Sequence, residues 1–124
     1  MKYIVFIFVI ILFTACSTKQ AKISNSAVII FKTPSMKFYD KGFVKIYDEY
    51  INLQIYNSGV VALNLDIYED KVCTGTFKCM DATVFNESYL SSSYAPEFLY
   101  KLFSQKKVYF KDRANNIFIK VKKL

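Results

Sequence analysis

The sequence lacks the residues on which several kinds of catalytic site depend. It contains no histidine, so a Ser-His-Asp or Cys-His nucleophilic site cannot form within this chain. Its three glycines lie far apart and form no phosphate-binding loop. A zinc site is not expected, because Cys73 and Cys79 supply only half of a ligand set and no histidine can complete it. These absences favour a non-enzymatic protein without a cofactor.

Export is indicated by the N-terminal stretch. Lys2 precedes an unbroken apolar run over residues 3–13, and small residues follow, as in a secretory signal. The run ends in the motif Leu12-Phe13-Thr14-Ala15-Cys16. This motif resembles the lipobox of bacterial lipoproteins, with Phe13 where leucine is commonest. The resemblance implies cleavage before Cys16 and fatty acylation of its thiol and, usually, of its freed amine.

Two other interpretations of residues 3–13 are a buried helix and an uncleaved membrane anchor. As a helix, this run would span about 16 Å, well short of the roughly 30 Å hydrocarbon core. A cleaved signal is therefore preferred, and two or three acyl chains on Cys16 would attach the protein stably. Ser17 follows the cysteine, and in diderm lipoproteins a residue other than aspartate there usually permits transfer to the outer membrane. The resemblance thus implies the periplasmic face of that membrane, with the inner membrane as the alternative.

The implied compartment is oxidising, which bears on the two remaining cysteines. Cys73 and Cys79 are separated by a short segment that contains Gly75, a residue suited to a tight turn. A disulfide between them is expected on the basis of the compartment. Two buried free thiols or a redox pair are the alternatives.

Composition divides the chain into three parts. Residues 1–15 are predicted to be the lipoprotein signal peptide, and residues 16–26 the acylated cysteine with a flexible tether, because residues 17–26 are polar and lack a sustained period. Residues 27–124 are predicted to be a single domain that is large enough for its own core.

An antiparallel sheet is predicted for the first part of this domain. Residues 51–56 and 61–68 alternate between aliphatic and polar or aromatic side chains on either side of the turn Asn57-Ser58-Gly59. This pattern indicates a hairpin with one aliphatic face, on which Val61 is included. A β-branched run over residues 27–32 predicts a strand with both faces covered.

The remaining elements are less regular. Asp40-Lys41-Gly42 is predicted to be a turn between two short strands. Helices are expected over residues 82–90, with Asp81 as the cap, and from Pro96 onward, where apolar residues recur at helical spacing. A second hairpin ends the chain, with its loop at residues 112–116. The predicted fold is α+β: a curved, mainly antiparallel β-sheet with two short helices packed on one face and a C-terminal β-hairpin.

This order of elements loosely resembles LolB-like outer-membrane lipoprotein receptors. The resemblance is architectural, covers residues 36–121 and rests on no specific motif. It implies a half-barrel that holds acyl chains under a helical lid.

Two sets of side chains are candidate binding surfaces. The outward positions of the strands carry aromatic residues, namely Phe43, Tyr47, Tyr50, Tyr56, Tyr68, Tyr109 and Phe118. These form a candidate partner face, although the strand preference of aromatic residues also explains them. The C-terminal region supplies a candidate membrane-contacting surface consisting of Lys106, Lys107, Lys111, Lys120 and Lys122. Edge-strand lysines that block aggregation are the alternative.

Two functions are therefore expected for a lipid-anchored envelope protein. An acyl-chain or other hydrophobic carrier requires a cavity lined by Leu53, Leu63, Leu65, Phe98 and Phe103. A structural or assembly subunit that docks an envelope protein requires a filled core and an exposed aromatic face. The formal net charge of +7 is attributed to anionic envelope surfaces rather than nucleic acid, because an exported protein does not normally meet nucleic acid. A lysine-rich surface that only keeps the domain soluble is the alternative.

Overall fold

The computed structural model describes residues 21–75 and 78–124. Predictions for residues 1–20, including the lipobox and Cys16, lie outside the described residues. The strands are β1 (Ile23–Lys32), β2 (Lys37–Ile46), β3 (Ile51–Asn57), β4 (Val60–Ile67), β5 (Lys71–Cys73), β6 (Cys79–Asp81), β7 (Tyr109–Asp112) and β8 (Ile117–Lys123). The helices are α1 (Ala82–Tyr89) and α2 (Phe98–Phe103).

All eight described strands belong to one sheet. Their order is β6-β5-β4-β3-β2-β1-β8-β7, and every neighbouring pair is antiparallel. The first six strands follow one another along the chain, whereas β8 returns after the helices to pair with β1. The sheet is open, with β6 and β7 at its edges. The predicted α+β class is confirmed.

Strand alternation places one row of aliphatic and aromatic side chains against the helices. Phe31 of β1, for example, lies opposite Ile119 of β8 on one side, and both are fully buried. The helical layer covers this inner face with Phe85, Leu99, Leu102 and Phe103, all buried in the same cluster as the sheet residues. The predicted apolar stripe of the second helix is confirmed, because it packs on the sheet.

The β3–β4 hairpin turns through Ser58 and Gly59, whose φ angles are 53° and 81°. Positive φ at both central residues is the geometry that matches the twist of a two-residue hairpin. The register of the β3–β4 ladder shifts next to this turn. Ile55 pairs with Leu63, whereas Tyr56 pairs with Val61. Val61 is consequently 46% exposed, and its predicted position in the core is wrong.

The predicted turn at residues 40–42 is also wrong. Strand β2 continues through Gly42, which pairs with Ala27 on one side and Ile55 on the other. A Cβ atom at Gly42 would lie 1.9 Å from the backbone oxygen of Gln54. Glycine is needed here because two backbones approach closely, not because the chain reverses.

Strand β1 differs from prediction at its start and on its outer face. It begins at Ile23, so residues 23–26 of the predicted tether belong to the sheet. They form ladder pairs with residues 43–46 of β2, which orders a segment that composition alone assigned to a linker. On the outer side of β1, Val28 and Ile30 are only half-buried, so one face of the strand is fully covered rather than two.

Both helices are shorter than predicted. Asp81 precedes α1 but makes no side-chain capping hydrogen bond, and Val84 is 47% exposed while Phe85 is fully buried. Helix α2 begins at Phe98, two residues after Pro96. The apolar spacing located each helix correctly, but the cap residues did not set the first turn.

Candidate functional site on the outer face of the sheet

The sheet has an outer face, opposite the helices, and its two halves differ. We call the outward side chains of β1, β2, β7 and β8 the lysine region. We call those of β3–β6, with the tyrosines at the strand ends, the amide–tyrosine region. The boundary between them is the β2–β3 ladder, where Phe43 lies opposite Gln54 and Lys45 lies opposite Asn52.

The seven predicted aromatic residues form three groups rather than one patch. Tyr47, Tyr50 and Tyr68 stack in a row, with ring centroids 4.7 and 5.1 Å apart. The other two groups are edge-to-face pairs, Phe43 with Tyr56 at 5.8 Å and Tyr109 with Phe118 at 5.6 Å. Strand order separates the Tyr109–Phe118 pair from the other two groups, because β1 lies between β2 and β8.

A lysine side chain contacts one end of the tyrosine stack. The ammonium group of Lys71 lies 4.6 Å from the ring centroid of Tyr68, within the range of a cation–π contact. Burial and the nearby carboxylate of Asp66 raise the pKa of both Tyr50 and Tyr68. Both hydroxyls therefore stay protonated at neutral pH and can donate hydrogen bonds to a bound partner.

Beside the stack lies a polar network that sequence reasoning missed. The side-chain amide of Asn52 is only 8% exposed and donates to Asn64 Oδ1 and Asp66 Oδ1, each at 2.8 Å. All three residues lie on the outer face, where Asn52 pairs with Asp66 across the β3–β4 ladder. Asparagine is depleted in strands, so the presence of Asn52 and Asn64 in two consecutive strand patterns was the available signal.

The predicted disulfide is confirmed. Cys73 and Cys79 are bonded and lie directly opposite each other on β5 and β6. They border an open pocket of about 390 Å³ that Asp66, Tyr68 and Lys71 also line. The bond therefore ties two three-residue strands together next to the tyrosine stack.

Charge distinguishes the lysine region from the rest of the sheet. Its outward lysines are Lys32, Lys37, Lys41, Lys45, Lys111, Lys120 and Lys122. The described strands β1, β2, β7 and β8 contain two acidic residues, Asp40 and Asp112, and both pair with inward residues, Ile29 and Ile117. No acidic side chain of these four described strands therefore occupies an outward position.

Aromatic rings lie among these lysines. The ammonium groups of Lys45, Lys111 and Lys120 lie 5.7, 5.8 and 6.0 Å from the ring centroids of Phe43, Phe118 and Tyr109, respectively. Tyr39 is 68% exposed and Tyr109 is 51% exposed. The region thus combines solvent-facing cations with amphipathic rings, and aliphatic side chains from β1 lie between them.

The structure separates the predicted basic residues. Lys111, Lys120 and Lys122 lie on the outer face, whereas Lys106 and Lys107 lie in the segment between α2 and β7. Lys106 lines a small groove of about 80 Å³ at the end of the inner layer. The four outward lysines of β1 and β2 were not predicted to belong to this surface. The predicted turn at residues 40–42 interrupted the alternation that places them on one face.

The interior residues assigned to a ligand cavity belong to the packed core. Leu53 and Leu65 are completely buried and Phe103 is 1% exposed. Leu63 and Phe98 are partly buried against the same cluster. A broad, open depression of about 800 Å³ lies elsewhere, between the β4–β5 turn and α2, and is lined by Glu69, Asp70, Glu97, Tyr100 and Lys101, among others.

A hydrogen-bonded cluster joins the helical layer to the C-terminal hairpin. The hydroxyl of Tyr94 donates to Asp112 Oδ2 at 2.5 Å, and the amide of Asn115 donates to the same oxygen at 2.7 Å. The bond from Tyr94 is the main cause that lowers the pKa of Asp112, while burial is the main cause that raises the pKa of Tyr94. The cluster turns the Asp112 carboxylate towards the helical layer and away from the lysine region.

Residues 21–75 and 78–124 contain neither a group of side chains suited to a metal ion nor a helix suited to spanning a membrane. Within these ranges, no group of three or more His, Cys, Asp or Glu side chains is placed to hold a metal ion. None of the helices formed by these residues is long and apolar enough to cross a membrane.

The chain was compared with protein-family models, with curated proteins and with solved structures, and none of them matched.

Proposed function

We propose that this chain is a non-enzymatic lipoprotein of the cell envelope, anchored by acyl chains on Cys16 at the periplasmic face of the outer membrane. Its domain docks an envelope protein through the stack of Tyr47, Tyr50 and Tyr68. The observation that carries the docking role is the contrast between the two faces of the sheet. The inner face is filled by the helical layer, whereas the outer face presents half-buried aromatic rings.

The tyrosine stack has the properties of a protein-binding site. Tyrosine is enriched at interfaces because one side chain supplies both apolar area and a hydrogen-bonding hydroxyl. The stacked rings and the Lys71 contact restrict the rotamers before a partner binds, which lowers the entropy cost of binding. The neighbouring Asn52–Asp66 network keeps the supporting strands in register.

An acyl-chain carrier is the second candidate, and it has less support. It requires space around Leu53, Leu65 and Phe103, yet these side chains are buried in the core cluster. Mass spectrometry of the chain from Ser17 onward, purified from cells, distinguishes the two functions. Stoichiometric co-purified lipid would favour the carrier over the docking protein.

The anchor is tested by metabolic labelling with a fatty acid. The full chain should incorporate the label, and the Cys16→Ala variant should lose it completely. Label that persists in the variant would refute acylation at this residue.

The docking site is tested by photo-crosslinking in intact cells. A photoreactive phenylalanine analogue placed at Tyr50 or Tyr68 should give an adduct of one defined size. The same analogue at Val84, which is 47% exposed on α1 in the helical layer, is the matched control and should not give that adduct. Adducts that are identical at all three positions, or absent from all three, would contradict docking through the tyrosine stack.

A further inference from the structure

We infer that the lysine region is a second docking surface, for a bilayer of anionic phospholipid, and that the domain lies with β1, β2, β7 and β8 against the headgroups. This inference goes beyond the proposed function, because protein docking uses the other half of the outer face. It depends on the charge and composition of the surface and, for the reach of the Cys16 anchor alone, on the proposed function; it does not require the protein partner to exist.

The charge of the lysine region is complementary to that of an anionic bilayer. Seven lysines from four adjacent strands point the same way, and the two acidic residues of those strands point inward. Strand geometry gives this surface a width of about 15 Å across the four strands and a length of about 33 Å along β1. Such an area covers several lipid headgroups, so many weak attractions to phosphate act together.

The outward cations of these four described strands are all lysines. Protein interfaces are depleted in lysine, because a strongly hydrated ammonium on a flexible stem is costly to fix against one partner. A fluid bilayer does not require each ammonium group to be fixed in one position, since its headgroups can move towards each cation. The charge of this region therefore suits a lipid surface better than an acidic protein.

Apolar and aromatic side chains lie among the cations of the lysine region. Tyr39 and Tyr109 are more than half exposed, and Val28 and Ile30 are half-buried at the centre of the region. Aromatic rings with a polar end favour the headgroup level of a membrane, and lysine stems can cover apolar surface while the ammonium groups contact phosphate. Cations and amphipathic rings together characterise surfaces that rest in the membrane interface.

The proposed lipid anchor is close in sequence to the lysine region. The predicted anchor, Cys16, is seven residues before Ile23, the first residue of β1. A fully extended segment of that length spans about 25 Å. Strand β1 lies in the middle of the lysine region, so an anchored chain holds this surface close to the membrane, where its effective concentration is high.

The test measures binding to lipid vesicles by co-sedimentation, with the chain from Ser17 to Leu124 and therefore without the acyl anchor. This chain contains every described strand, both helices and the disulfide, and a cooperative thermal transition verifies its fold. Phosphatidylcholine vesicles with about 30% phosphatidylglycerol should bind it, and pure phosphatidylcholine vesicles should not. Raising the salt from about 0.1 M to about 0.5 M should release it.

Two variants with the same net charge sharpen the test. The first changes Lys32, Lys41, Lys120 and Lys122 to glutamine and should lower the partition coefficient on anionic vesicles by about 100-fold. The second changes Lys78, Lys101, Lys106 and Lys107 to glutamine, all of them exposed and outside the lysine region, and should stay within a few-fold of the unmodified chain. The thermal transition of each variant shows whether it still folds.

Equal losses in the two variants would show that net charge alone drives binding and would overturn the inference. Equal binding of the unmodified chain to anionic and neutral vesicles would also overturn it. The photo-crosslink from Tyr50 is independent of these measurements, so failure of the lipid surface and failure of the protein-docking site are distinguishable.

Discussion

The two regions of the outer face differ in whether their polar side chains bond to one another. In the amide–tyrosine region, polar groups satisfy one another, as where Asn52 donates to Asn64 and to Asp66. In the lysine region, seven ammonium groups face outward without an acidic neighbour on the four described strands. Groups that are already paired stabilise the fold, whereas unpaired charges remain available to a ligand. One sheet thus supports a rigid, specific surface beside a charged and adaptable one.

The largest effect is expected at Gly42, near the seam where the two regions meet. A Gly42→Ala change would push its Cβ against the backbone oxygen of Gln54 and against Ile29 Cδ1, at 1.9 and 2.9 Å. Separation of β2 from β3 should lower the free energy of unfolding by about 3 kcal/mol or more. Urea denaturation measures this loss.

The matched control for this change is Gly75→Ala. Among the described residues, no atom lies within 4 Å of a Cβ added at Gly75, and its φ is not positive, so its substitution should change stability by less than about 0.5 kcal/mol. Equal effects at the two glycines would contradict the assignment of Gly42 to a close approach between strands.

A smaller effect is expected from the polar network. The Asn52→Ala change removes the donor that Asn64 and Asp66 share and leaves Asp66 without that partner. We expect the free energy of unfolding to fall by about 1.5 kcal/mol, because the buried amide is lost along with its bonds. The Gln54→Ala variant, which loses one bond from the hydroxyl of Tyr56, is the control and should lose less. The opposite ranking would contradict the role of the network in stabilising this region.

The smallest effect on stability is expected from loss of the hydrogen bond to Asp112, whose side chain points inward from β7. Its folded-state pKa is lowered, chiefly by the hydrogen bond from Tyr94, so its stabilising contribution is present above the unfolded pKa near 3.8. That contribution is lost as the pH falls through the lower folded value. The Tyr94→Phe variant should therefore lose some stability at neutral pH and less at about pH 2, as thermal unfolding at several pH values would reveal. A loss that does not change with pH would show that the Tyr94–Asp112 bond is not its source.

The alternation of apolar and polar side chains along the chain predicted much of the fold. The main wrong predictions are explained by contacts between strands that have no local signal in the sequence. The β3–β4 hairpin and the C-terminal hairpin follow from periodicity and turn residues alone. The pairing of β8 with β1 joins distant parts of the chain and has no local signal. Gly42 is preceded by aspartate and lysine, a sequence typical of a turn, although the chain there is extended.

These errors had different consequences for the candidate site. The mistaken turn at Gly42 concealed that Lys37, Lys41 and Lys45 share one face, so only the C-terminal part of the lysine region was predicted. The disulfide between Cys73 and Cys79 was predicted correctly on the basis of the expected compartment, and this prediction did not depend on the register of distant strands. The Asn52–Asp66 network was missed, because it depends on the register between two strands.

The position of β1 has a mechanical consequence. The strand has neighbours on both sides, with ten residue pairs to β2 and six to β8. Ladder hydrogen bonds run perpendicular to antiparallel strands, so tension applied through the preceding chain pulls along β1 and across the direction of those bonds. Many bonds then share the load in shear instead of opening one after another. A domain attached through this strand resists extraction by force better than one attached through an edge strand such as β7.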